Sequence, residues 1–116
     1  MIVSNVKNVP IIEVNSEAAK FTSMKALVSS KEGFEGYVMR EVEVFEGGHT
    51  PKHRHPWQHI NYMLEGEGEL MIEGKINKVE AGSFAFVPPG SLHQFRNAGK
   101  GVFKFICIVP EEGHVY

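Results

Sequence analysis

The chain is expected to fold as one all-β domain, a barrel or sandwich of short strands. Three observations lead there. Turn residues recur along its 116 residues, at Glu32–Gly33, Gly47–Gly48, Pro51, Pro56, Gly66, Gly68, Gly74, Gly82, Pro88–Pro89–Gly90 and Asn97–Gly99. Between them lie short runs rich in β-branched and aromatic residues, and no long amphipathic helix is visible. About two-fifths of the chain is hydrophobic, 42%, enough for one core at this length.

The elements follow in order. Met1 to Ile12 lacks a basic start followed by a long apolar run, so no signal peptide is expected there. Ser16–Lys20 can begin a helical turn with Ser16 as its cap. Strands are expected at Lys20–Val28, Tyr37–Phe45, His59–Leu64, Glu69–Ile72, Lys75–Val79, Ser83–Val87, His93–Asn97 and Val102–Val109. In Tyr37–Phe45, Val38, Val42 and Val44 share a face interrupted by Arg40, with Glu41 and Glu43 opposite, the pattern of a half-buried strand. Phe103–Val109 is apolar on both faces except for Lys104, as a strand covered on both sides would be. Residues 1–36 read as an N-terminal segment and 37–110 as the barrel.

The net charge of −2, with no basic stripe, argues against nucleic acid as a partner. No stretch approaches eighteen apolar residues, so no membrane span is expected. Cys107 is the only cysteine. No disulfide can form within the chain, which fits a reducing compartment, and a cytoplasmic location is expected.

The chemistry concentrates in the histidines. Three of six fall within seven residues, His53-Arg54-His55-Pro56-Trp57-Gln58-His59. Residues two apart on an extended chain point the same way, so His53 and His55 can share a target. Pro56-Trp57 can turn His59 back toward it, and His93 arrives from another strand. Imidazole binds Zn, Cu, Fe, Ni and Mn. A solvated polar loop is the plainer reading, and it suits His49 and His114, which stand outside the motif spacing. It explains His-x-His on one face poorly.

At these residues the chain resembles the cupin superfamily. Its first motif, G-x5-H-x-H-x3,4-E-x6-G, is matched by Gly47, His53, His55 and Gly66, with His59 where the glutamate usually stands. Its second, G-x5-P-x-G-x2-H-x3-N, is met by Gly82, Pro88, Gly90, His93 and Asn97. The string His55-Pro56-Trp57 with His59, and Phe95-Arg96-Asn97 after His93, looks most like small four-histidine cupins of the manganese type. The resemblance implies a double-stranded β-helix, the jelly-roll barrel. It also implies one divalent metal ion on His53, His55, His59 and His93, with Mn ahead of Fe, Zn or Ni. Small relatives commonly form homodimers with an N-terminal strand crossing to the partner, a role Lys20–Val28 suits. The glycines and prolines of the motifs have turn-making roles, and Asn97 is expected to cap a turn.

Histidine in place of glutamate leaves the +2 charge of such an ion uncompensated, favours an anionic ligand, and removes a carboxylate base. Strand parity adds Asn61, Phe95, Phe105 and Cys107 as pocket-lining candidates, with Trp57 at the rim. Arg40 could meet an anionic substrate or make a structural salt bridge. Phe84–Val87 and Phe103–Val109 are expected to wall the pocket. The functional expectation is a small-molecule metalloenzyme. It would carry out dioxygenase-like oxidation, or metal-assisted chemistry on a chelating oxo-acid or enediolate. The alternative is a non-catalytic ligand-binding or sensor module.

Overall fold

The computed structural model describes residues 1–14 and 16–114. Nine strands account for most of them: β1 (Ile12–Glu13), β2 (Lys20–Val28), β3 (Tyr37–His49), β4 (His59–Glu65), β5 (Glu67–Ile72), β6 (Lys75–Glu80), β7 (Phe84–Val87), β8 (His93–Asn97) and β9 (Phe103–Pro110). Every pairing is antiparallel. The order runs β6-β5-β8-β3-β9-β4-β7, with β2 laid on β3 and β1 on β2. The sheet curls into a nearly closed jelly-roll barrel whose main path ends at β6 and β7, with β1 the outer strand of the β2 branch, so the all-β expectation holds.

Alternation builds the core. Val38, Val42 and Val44 of β3, Met63 of β4, and Phe103, Phe105, Cys107 and Val109 of β9 are all buried on the inner face. Phe95, Phe103 and Phe105 cluster there, with Phe95 and Phe105 stacked at 4.3 Å between centroids. Gly68 is required beneath them, since a Cβ would meet the Phe103 ring at 2.5 Å. Asn97 ties three segments through its side chain. It donates to Val44 O and Gly101 O at 2.9 and 2.8 Å and accepts from Gly99 N–H at 2.9 Å.

Several expectations need correction. Ser16–Lys20 is a tight turn, with Ala19 N–H donating to Ser16 O and Ala18 N–H to Ser16 Oγ, and β2 begins at Lys20. β1 is too short to carry a pattern. β3 runs four residues past Phe45, through Gly47–Gly48, because a bulge absorbs what looked like a turn. The outer face of β9 has no second layer over it in the single chain: Ile106 and Ile108 are half-buried while the inner residues are buried. Phe84–Val87 does not wall the pocket as expected. Pairing of His59 with Val87 and Asn61 with Ala85 turns Phe84 and Phe86 outward, and Phe84 is 82% exposed. Lys20–Val28 lies on this chain's own β3 along most of its length. No helix among the described residues is long and apolar enough to cross a membrane.

Candidate metal centre

The four clustered histidines come from three places in the chain and meet at one end of the barrel cavity. His53 and His93 face each other as an isolated antiparallel bridge, each N–H donating to the other's carbonyl at 3.1 and 3.0 Å. Two residues on, His55 O accepts from Gly90 N–H at 2.8 Å. Gly90 sits at φ +77, which favours glycine and brings the Pro88–Pro89–Gly90 bend against the His-x-His segment. His59 opens β4 and projects inward. Ring centroids lie 4.9 Å apart for His53–His55, 4.9 Å for His53–His93, 4.8 Å for His55–His93 and 4.9 Å for His59–His93. Ligand nitrogens of His53, His55 and His93 fall within 4.8 Å of one another, so these three could hold a metal ion.

Hydrogen bonds set which nitrogen faces the centre. Nδ1–H of His55 donates to Trp57 O at 2.8 Å, that of His93 to Ser91 O at 2.9 Å, and that of His59 to Asn61 Oδ1 at 2.7 Å. Each acceptor is an oxygen without a proton to give, so each ring carries its proton on Nδ1 and turns a bare Nε2 inward. Such outer partners orient the histidines of metal sites. The Nε2 atoms of His59 and His93 stand 3.2 Å apart. One ion could be shared between them, so this donor set fits a cation.

All four rings are held neutral. Burial, then the repulsion of neighbouring His93, His55 and His59, lowers His53 from 6.5 to about 4. Burial likewise takes His93 to about 4, against a raising hydrogen bond to Ser91. His55 and His59 are lowered mainly by burial.

A family model described as a cupin domain matches residues 40–109, more than half of the chain. The chain belongs to the cupin family. This cupin is 29% identical over 92 residues to an uncharacterized protein of Aquifex aeolicus, covering 66% of its own length and 73% of that protein's. It is 32% identical over 74 residues to 1-methylthio-D-xylulose 5-phosphate methylsulfurylase of Rhodospirillum rubrum, 64% of this chain. It spans only 47% of that protein's length. Among solved structures, the polyketide cyclase RemF of Streptomyces resistomycificus superposes with a TM-score of 0.88 at 30% identity, over 95% of this chain and 79% of that one. A predicted oxalate decarboxylase of Thermotoga maritima shares the fold, with a TM-score of 0.85 at 22% identity over 94% and 98% of the two chains.

Around the histidines the cupin cavity has a volume of about 110 Å³. Arg40, Trp57, Asn61, Phe95, Phe105 and Cys107 all line it. Trp57 is half-buried and stacks on His55, centroids 4.8 Å apart at 13°. It also packs on Gly113, where a Cβ would come within 2.5 Å of the indole Nε1. Arg40 points inward from β3 and donates to Cys107 Sγ at 3.2 Å. Sequence reasoning missed Thr22 and Met24 of β2 and Thr50, which also line the cavity. For Thr22 and Met24 the advance signal was parity within β2; Thr50, just past β3, carried none. It also assigned no partner to His49, whose Nδ1 lies 3.1 Å from Thr50 O and 3.3 Å from Gln94 Nε2, outside the cluster.

Proposed function

We propose that this cupin binds one divalent first-row metal ion per chain through Nε2 of His53, His55, His59 and His93. In this reading the centre acts on a small oxo-acid or enediolate that binds through two oxygens. The convergence of three imidazoles carries the proposal: ligand nitrogens of His53, His55 and His93 lie within 4.8 Å of one another, and Nε2 of His59 stands 3.2 Å from that of His93. Among the described residues no carboxylate lines the cavity, so such an ion keeps its full charge and draws an anion into apolar surroundings. Manganese stands first, then iron, zinc or nickel, since affinity order alone would favour copper or zinc and supply decides.

When bound, such an ion supplies Lewis acidity, and manganese or iron adds redox chemistry of the dioxygenase kind. The chain's own part is to orient and exclude. Phe95, Phe105 and Val109 keep water from one side of the ligand, and Trp57 holds His55 in place. With no acidic residue among the described residues of the cavity, a proton lost by the ligand passes to solvent at the mouth. The names of two similar proteins, a methylsulfurylase of a sugar phosphate and a polyketide cyclase, support an enzyme over the alternative of a non-catalytic sensor. They name different reactions, so neither is carried over. The reading also places the chain in the cytoplasm and pairs it with a second copy. The second copy is supported by the apolar outer face of β4 and β7, where Ile60, Tyr62, Phe84 and Phe86 lie exposed beside Ile106 and Ile108.

The test is reconstitution with each metal separately, followed by elemental analysis and by the fluorescence of Trp57, the single tryptophan, stacked on a proposed ligand. One ion per chain with a saturating change in emission is expected. Far less than one ion for every metal tried would overturn the proposal.

A further inference from the structure

Two hydrogen-bond donors inside the barrel have no acceptor. Register sets Arg40 of β3 opposite Cys107 of β9, and Cys107 opposite Asn61 of β4. All three line the cavity, one row across strands about 4.8 Å apart. Arg40 Nη2–H rests on the Cys107 thiol, a weak acceptor, at 3.2 Å. Arg40 Nε–H is buried and meets nothing, and the same holds for Asn61 Nδ2. Asn61 is 4% exposed; with its Oδ1 toward His59 Nδ1, its Nδ2 is the donor left over. Among the described residues no carboxylate lies within 4.0 Å of Arg40, and a guanidinium does not give up its charge. The inner wall therefore presents one cation, two orphan donors and no counter-charge, which is the complement of a carboxylate.

We propose that the row Arg40–Cys107–Asn61 is an anion subsite, taking a second carboxylate of a ligand whose chelating end faces the four histidines. This rests on the metal reading above and narrows its ligand to small dicarboxylates with a hydroxyl or oxo group beside one carboxylate. The Nε–H and Nη2–H of a guanidinium form a fork that matches two carboxylate oxygens. Cys107 gives up its weak hold on Nη2 when they arrive, and Asn61 Nδ2–H adds a third bond. Asn61 lies two residues from His59, roughly 6.6 Å along the strand, a span that a four-carbon acid bridges. The cavity of about 110 Å³ is on the scale of the ~150 Å³ that holds one benzene, so much larger acids are excluded.

Malate and lactate test this, because they share a 2-hydroxy-acid chelating end and differ in the second carboxylate. Both are titrated calorimetrically into the Mn-loaded protein and its Arg40→Met and Arg40→Lys variants. The wild type is expected to prefer malate by about tenfold to a hundredfold, the worth of one charge-assisted pair. Arg40→Met should still bind Mn and lactate and should lose the preference for malate over lactate. Arg40→Lys, with charge but no fork, should keep part of it. Without ligand, Arg40→Met should melt no lower than wild type, since an unpaired buried charge is removed. An equal preference in wild type and Arg40→Met, or no preference in wild type, overturns the subsite. So does an Arg40→Met that melts lower and still prefers malate. Malate titrated into metal-free protein, followed through Trp57, separates this proposal from the metal reading. Arg40-dependent binding of malate without any Mn binding keeps the subsite and removes the metal. Mn binding with Arg40-independent malate binding removes the subsite alone.

Discussion

Three carbonyl oxygens, of Trp57, Ser91 and the Asn61 side chain, decide what the histidines can do. Each takes an Nδ1 proton and so leaves an inward Nε2 free to ligate. Removing a ring should cost metal, not fold, because the apolar strands carry the stability. His55→Ala or His93→Ala should lower metal affinity by at least tenfold while the circular dichroism of the barrel persists. A variant with native affinity would show that its ring is not a ligand. The metal-free protein should also be acid-sensitive in a defined window. Folded His53 and His93 titrate near 4 against 6.5 when unfolded, so between those values the unfolded chain binds more protons. The stability of the neutral rings is fully present above pH 6.5 and is lost as pH falls through 4. Glu41, held above 4.5 mainly by burial, works in the opposite direction, but it is one group against four. Thermal melts should therefore fall from pH 7 to pH 4.5 in metal-free protein. A flat or rising profile would mean that the rings are not held neutral by the fold.

At the scale of elements, glycines in apparently equivalent turns should differ sharply. Gly66 and Gly74 both sit at φ near +80, but a Cβ on Gly66 would meet Val102 O at 2.2 Å, while one on Gly74 meets nothing within 4 Å. Gly74→Ala should cost about 1 kcal/mol of strain, and Gly66→Ala roughly 2–4 kcal/mol, enough to separate their melts by several degrees. Equal melts would mean that the β4–β5 turn yields more easily than its packing implies. This contrast was not legible in the sequence, where both are turn glycines. Much else was. Alternation gave the inward face of β3, counting from His59 gave that of β4, and the bounds of β2 and β8 were read to the residue; Phe103–Val109, apolar on both faces, did not show by alternation which set faces in. The four histidines stood at motif spacing, so their convergence could be anticipated. Long-range register could not: the row Arg40–Cys107–Asn61 exists only because β9 pairs with both β3 and β4. Nor could the outward turn of Phe84 and Phe86, since a four-residue apolar run carries no sign of which parity faces in.

At the scale of the molecule, the single chain leaves a contiguous apolar face over β4, β7 and the outer side of β9, at a free edge of the sheet. Exposed Ile60, Tyr62, Phe84 and Phe86 beside a sheet edge favour association. Light scattering at micromolar concentration should give twice the 13.0 kDa chain mass. Tyr62→Lys with Phe86→Lys should return the chain mass without loss of metal. A wild-type species of 13.0 kDa would remove the second copy from the account. The central claim is the four-histidine centre, and its most direct measurement is anomalous diffraction at the metal edge from crystals of reconstituted protein. One peak per chain is expected, within bonding distance of Nε2 of His53, His55, His59 and His93. No peak there, or a peak that leaves His59 and His93 in contact with each other and not with the ion, would contradict it.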